Sequence, residues 1–220
     1  MKTAFITGIS RGIGRATAQL FLQSGYQVIG TSTTGTENIR HSSCHCLPLN
    51  LASTNSITKA IEYLKGHQIQ LHVLVNNAAI LLEDWNTPEI NMDYLRRTFS
   101  VNTLGTVEMT EELLPFLIPI KSHIINVSSG WGSFSEEEFG AHVPHYKMSK
   151  AALNMYTKLL AERLKPRGIS VAALDPGWVK SDMGTQAAER HPEEIAQEIL
   201  NLLDNQSTGQ FWHRNQVRAW

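Results

Sequence analysis

The chain lacks most of what would place it in a membrane, a secreted scaffold or a nucleic-acid complex. Only two cysteines occur in 220 residues, Cys44 and Cys46. With one residue between them they are poorly spaced for a structural disulfide and fit a reducing compartment. No apolar run approaches the ~20 residues that a membrane-spanning helix needs. The apolar Ala4-Phe5-Ile6 meets a glycine-rich segment too soon to be a signal-peptide core. The cytoplasm is the expected location. A formal net charge of -1 leaves no electrostatic footprint for nucleic acid or an anionic membrane, so a ligand has to be recognised locally, in a pocket. Soft metal ligands do cluster at His41, Cys44, His45 and Cys46, but no second pair lies at finger-like spacing. No metal site is expected, and Cys46 to Leu49 reads as a short buried strand.

What is present is an alternation. At 220 residues and 42% apolar composition the chain can bury one substantial core and is short for two. A strand over Lys2 to Thr7, a helix over Gly12 to Ser24 and a strand over Tyr26 to Thr31 make one βαβ unit. A strand near Cys46 to Leu49, a helix from an N-cap at Ser53 to about Gly66, and a strand over Leu71 to Val75 repeat it. After a loop around Trp85 to Pro88, a long helix is predicted from about Met92 to Phe116. It is followed by a strand at His123 to Val127 and a Gly/Ser/Glu loop. The helix from about Tyr146 to Leu164 is stopped by Pro166-Arg167-Gly168, and a strand at Ile169 to Leu174 follows. His191-Pro192 opens a helix to about Leu203, and Gly209 to Trp212 reads as a last edge strand. The fold class is therefore α/β: a single-domain, Rossmann-like, doubly wound parallel sheet of about seven strands with helices on both faces, over residues 1–220.

Thr7-Gly8-Ile9-Ser10-Arg11-Gly12-Ile13-Gly14 lies where the first strand turns into the first helix. Glycines there let the backbone approach a pyrophosphate, and the helix's free amides supply positive partial charge. NAD binders usually carry an acid roughly 20 positions later to grip the ribose. Here the second strand ends in Thr31-Ser32-Thr33-Thr34, and the first acidic residue of the chain is Glu37. Without that carboxylate nothing repels a 2′-phosphate, while Arg11, Ser32 and Thr33 offer donors for it. NADPH is the preferred cofactor on this reading, with NADH possible.

Further along come Asn76-Asn77-Ala78-Ala79 after a strand, Asn102 in Val101-Asn102-Thr103-Leu104-Gly105, and Ser128-Ser129 after a strand. Tyr146-Lys147-Met148-Ser149-Lys150 opens a helix, and Asp175-Pro176-Gly177-Trp178-Val179 follows the next strand. Over nearly the whole chain, and in order, this set resembles the short-chain dehydrogenase/reductase family, in the compact form of its carbonyl-reductase and C-factor-like branch. The resemblance implies a catalytic tetrad of Asn102, Ser129, Tyr146 and Lys150. Ser129 and Tyr146 would hold a substrate carbonyl oxygen, Tyr146 would be the proton donor, Lys150 would hold the nicotinamide ribose, and Asn102 would keep a water behind the lysine. It also implies cofactor contacts from Gly8, Ser10, Arg11, Gly12, Ile13, Gly14, Ser32, Thr33, Asn50, Leu51, Asn77, Ala78, Ala79, Pro176, Gly177, Val179 and Ser181, with Tyr146 and Lys150. A homodimer or homotetramer pairing the helices at about Val101 to Phe116 and Tyr146 to Leu164 belongs to the same implication. The residues support the core of it independently. Tyr146 and Lys150, four apart, share one helix face, and a neighbouring ammonium should draw a phenol down from its ordinary value near ~10.

Some positions depart from the family pattern. Asn50 stands where an adenine-contacting acid is usual, and Ala79 replaces a glycine, which is tolerable if φ there is negative. The segment from Gly130 to His145 is longer than is common and should overhang the substrate. Trp131, Phe134 and Trp178, with Trp85 and Met183 as neighbours, would line an aromatic pocket. The Glu136 to Glu138 run reads as a solvated loop face. A short lid, about residues 183–192, implies an open pocket. The leading function is NADPH-dependent reduction of an aldehyde or ketone to an alcohol, with a small-molecule carbonyl as partner and neither nucleic acid nor membrane. The alternatives are an NAD-dependent alcohol dehydrogenase and a nucleotide-sensing or signalling protein of the same fold with little catalysis.

Overall fold

The computed structural model describes residues 1–36, 39–83, 85, 89–136, 140–205 and 207–220. Glu37, Asn86 to Pro88, and Glu137 and Glu138, all singled out above, lie outside the described residues. Seven strands, β1 (Thr3–Ile6), β2 (Gln27–Ser32), β3 (Cys44–Pro48), β4 (Val73–Asn76), β5 (His123–Val127), β6 (Ser170–Leu174) and β7 (Gln210–His213), pair in parallel, and an eighth, β8 (Gln216–Arg218), pairs antiparallel to β7. Their order in the sheet is β3-β2-β1-β4-β5-β6-β7-β8. Winding therefore reverses between β1 and β4, which opens a crevice at their carboxyl ends.

Burial on both faces explains why the central strands are continuously apolar. Ala4 and Ile6 of β1 join one core cluster, under α1 (Gly12–Gln23) and α6 (Pro192–Asn201). Phe5, between them, joins the other, under α2 (Thr54–Gly66), α4 (Thr106–Leu113) and α5 (Pro144–Leu164). The two-residue alternation of a strand thus feeds two cores at once. As predicted, Ser53 caps α2, its side chain accepting from the Ser56 amide.

Two expectations are corrected. The helix predicted over Met92 to Phe116 is four pieces: α3 (Met92–Phe99), a π-helical turn (Ser100–Gly105), α4, and a 3-10 turn (Leu114–Phe116). A wide turn preserves the amphipathic pattern on either side, so periodicity does not reveal it. The sheet of about seven strands has eight among the described residues, and what differs is its edge: Gly209 to Trp212 gives a strand as expected but not the last one. The chain reverses through Arg214 and Asn215, both with positive φ (50° and 60°), and β8 forms the edge instead. Among the described residues no helix is long and apolar enough to cross a membrane.

Candidate active site

The crevice at the ends of β1 and β4 is a cleft of about 440 Å³, within the range of small-molecule sites. Gly8 turns the chain at a φ of +76°, open to glycine at no steric cost. Helix α1 then packs so tightly on this turn that a Cβ on Gly14 would be driven into the Gly8 carbonyl oxygen and the Asn77 side-chain amide. Asn77 fastens the arrangement, its side chain donating to the carbonyls of Thr7 (2.8 Å) and Gly8 (3.2 Å). No side chain caps α1 at Arg11, and no acid sits in its first turn, so its leading amides suit a phosphate. A close glycine turn with an uncapped helix start fits a dinucleotide.

Of the expected cofactor contacts, Gly8, Ser10, Arg11, Ile13, Ser32, Thr33, Asn50, Leu51, Asn77, Ala78, Ala79, Tyr146, Lys150, Pro176 and Ser181 line the cleft. Gly12, Gly14, Gly177 and Val179 do not line it. They shape the turns behind it, with Val179 buried and bridged to Arg190. Ala79 is not among the positive-φ residues, so its methyl carries no backbone strain. Lining residues the sequence reading missed include Thr31 and Leu49, at or just beyond the carboxyl ends of β2 and β3, where ligands of such sheets sit. Asp182 is a less legible omission. Its carboxylate pairs with Arg11 at 2.8 Å across the cleft mouth, both side chains largely exposed.

At the chemical end Pro144 occupies the first turn of α5, where its missing amide costs nothing. Tyr146 and Lys150 follow one turn apart, both buried. Ser129, whose hydroxyl accepts from the Trp131 amide at 3.2 Å, lies near enough to the Tyr146 phenol to pull its pKa down. Its neighbour Ser128, and not Ser129, is in the cleft lining, but the Ser128 hydroxyl is spent on the Asn154 side chain. Lys150 Nζ donates to the Val127 carbonyl (2.8 Å) and stands 5.6 Å from the Tyr146 ring centroid.

Ionisation differs from the sequence expectation. Burial first, then the Asp175 carboxylate, push the phenol above its ordinary range, against the opposing pull of Ser129. Lys150 does not lower it, and burial brings the ammonium itself down to about 8. A phenol held up in this way keeps its proton at neutral pH, the form a general acid needs.

Asn102 sits within the π-helical turn, where its side-chain amide donates to the Ile80 carbonyl and Ser149 hydroxyl and accepts from the Ile80 amide. Both donor hydrogens are thereby engaged, and the side chain secures the strand exit.

The overhang is only partly as expected. Trp131 stands edge-on to Tyr146 at 6.1 Å and to His142 at 5.1 Å, and Trp85 packs on both Trp131 and His142. Of the expected residues only Met183 lines the cleft; Phe134 and Trp178 are exposed, and the Trp85, Trp131 and His142 cluster stands beside Tyr146 rather than in the cleft wall. Glu136 is not a freely solvated charge, because it pairs with Arg218.

The family model for short chain dehydrogenases matches residues 2–192. Among curated relatives, the 3-oxoacyl-acyl-carrier-protein reductase FabG of Aquifex aeolicus is 32% identical, over 97% of this chain and 96% of its own length. Among solved structures, the carbonyl reductase Sniffer of Drosophila melanogaster has a TM-score of 0.89 at 26% identity, each chain covered in full. The NADPH-bound carbonyl reductase from chicken fatty liver has a TM-score of 0.87 at 27% identity, covering 100% of this chain and 94% of that one. With the sheet order, the glycine turn and the Ser129, Tyr146 and Lys150 grouping, these matches establish that the chain belongs to the short-chain dehydrogenase family of oxidoreductases.

Proposed function

We propose that the protein reduces an aldehyde or ketone to an alcohol with NADPH. The observation that carries this reading is the pairing of buried Tyr146 and Lys150, with Ser129 beside the phenol, at the inner end of a cleft whose outer end is the glycine turn. When bound, the nicotinamide supplies the hydride. Ser129 and Tyr146 hold the carbonyl oxygen, and the phenolic proton passes to that oxygen as charge develops on it. Lys150 exchanges protons most readily near pH 8, which suits it to restore the phenol's proton. Asn102, through Ile80, fixes the chain that lines the cleft after β4.

Preference for NADPH is supported by the absence of any carboxylate at the end of β2 and by Ser32 and Thr33 in the cleft wall. Arg11 is the cation in reach, and its exposed bond to Asp182 is of the kind worth little and readily exchanged for a phosphate. The chicken carbonyl reductase, NADPH-bound, is consistent with this choice.

The test is to follow NADPH and NADH oxidation with a panel of aliphatic and aromatic aldehydes and ketones, alongside fluorescence titration of each cofactor. Turnover with tighter binding of NADPH is the expected result. Tight cofactor binding with no carbonyl reduced would overturn the catalytic reading in favour of a nucleotide sensor.

A further inference from the structure

Three charges from separate parts of the chain meet behind Ser129. Asp175 follows β6, Arg218 ends β8, and Glu136 belongs to the overhang. The Arg218 guanidinium gives Nη1 to Asp175 and Nη2 to Glu136. Asp175 is otherwise well fixed, accepting from the Gly177 amide at 3.0 Å and lying 3.2 Å from His213 Nδ1. Glu136 has no comparable strand beneath it.

The cluster rests on Gly130, the residue after Ser129. A Cβ there would lie 2.6 Å from Glu136 Oε1 and 3.0 Å from both Arg218 Nη1 and Asp175 Oδ2, so only glycine lets the charges close over it. The Gly130 amide also faces the Asp175 carboxylate and helps hold its pKa down. A second tie runs beside the first, the hydroxyls of Ser133 and Ser135 each lying 3.3 Å from the Ala219 carbonyl. Between these anchor points Trp131 is held edge-on to Tyr146.

We infer that Arg218 is a positioning residue: it ties the overhanging residues 130–136 to Asp175 and thereby sets where Ser129 and Trp131 stand against the substrate. This rests on the reading of Ser129 and Tyr146 as the reacting pair. The physical reason is charge: without the guanidinium, two sheltered carboxylates face each other across Gly130, and only the one on the loop is free to retreat.

The experiment compares the full-length protein with Arg218→Ala, Arg218→Lys and Glu136→Gln. Hydrogen exchange of the cofactor-free protein reads the loop directly, so it stands even if the wild type reduces no carbonyl and the functional reading fails. Arg218→Ala should accelerate exchange over residues 130–136 while β1, β4 and β5 stay protected. With the best substrate of the panel, kcat/KM should fall about tenfold to a hundredfold, the cost of displaced groups near the reacting atoms. The NADPH dissociation constant should change less than about twofold, since only the substrate side is touched. Arg218→Lys should recover part of the loss, and Glu136→Gln should raise KM for the carbonyl more than it lowers kcat. Unchanged loop exchange in Arg218→Ala overturns the inference. So does a loss of kcat/KM matched by loss of NADPH affinity and of protection throughout the sheet, which would mark a merely structural role. Should Arg218→Ala fail to fold, Glu136→Gln decides: unchanged loop exchange and unchanged KM overturn the proposal.

Discussion

At the nucleotide end of the cleft the turn is held by main-chain groups, with Gly8 and Gly14 in close approach and Asn77 stitched to the Thr7 and Gly8 carbonyls. At the chemical end the Asp175-Pro176-Gly177 turn is gripped by two arginines. Arg190 donates to the Pro176 carbonyl at 2.8 Å and pairs with Glu198, both side chains buried, while Arg218 pairs with Asp175. The difference teaches where each end is vulnerable. A site made of backbone tolerates a changed charge at its rim but no added methyl. A site made of buried ion pairs tolerates changes of surface and fails when one partner is removed.

The sharpest division between the two ends is expected from Tyr146→Phe. Turnover should fall about 10²- to 10⁴-fold, the usual share of a general acid, with cofactor affinity retained. Steady-state kinetics and fluorescence titration check this, and an equal loss of affinity would show that the ends are not separable. Next in size, Glu198→Ala strands the buried Arg190 and should cost about 3–5 kcal/mol, read from urea unfolding. A change within error there would break the ion-pair account of the chemical end.

Gly14→Ala should cost about 1–3 kcal/mol as overpacking and abolish NADPH binding, whereas a change of charge nearby should do neither. Lys150 offers a test by pH. Its folded value is lowered to about 8 from an ordinary 10.5, so between those values the unfolded chain binds a proton that the folded chain has released. Stability of the cofactor-free protein should therefore rise from pH 8 to 10.5 through this residue, and the rise should be smaller in Lys150→Met. Equal slopes for the two proteins would contradict the burial argument. The smallest effect belongs to Arg11→Ala. Breaking its exposed pair with Asp182 should change stability by less than about 1 kcal/mol, while affinity for NADPH drops and affinity for NADH stays. Equal losses for both cofactors would remove Arg11 from the 2′-phosphate.

The doubly wound core was legible because each of its elements carries its own local signal. Apolar strands end in glycine or serine, Ser53 announces a helix, and Pro166-Arg167-Gly168 stops one. The sequence neighbours Tyr146 and Lys150 were legible for the same reason, since four residues of helix place them together whatever the rest does. What escaped depends on distant or quiet signals. The hairpin of β7 and β8 turns at Arg214-Asn215 without a glycine, so its left-handed turn looks like ordinary polar tail. Missing that strand also hid the partner of Glu136, which reads as a solvated charge until Arg218 is brought to it across 82 residues. The direction of the phenol's ionisation was misjudged because sequence spacing gives the nearness of Lys150 but neither the burial nor the carboxylate of Asp175.

The π-helical turn at Ser100–Gly105 takes up a surplus residue. It uses more residues per turn than the roughly 3.6 of an α-helix, so it advances the chain by roughly the rotation of one α-helical residue fewer, and α4 keeps its phase against α3. Met109 and Leu113 stay fully buried while Asn102 still reaches Ile80. The wide turn lets both demands be met along one axis, and a single-residue deletion that closes it to an α-turn should leave α4 packed while it pulls Asn102 off Ile80.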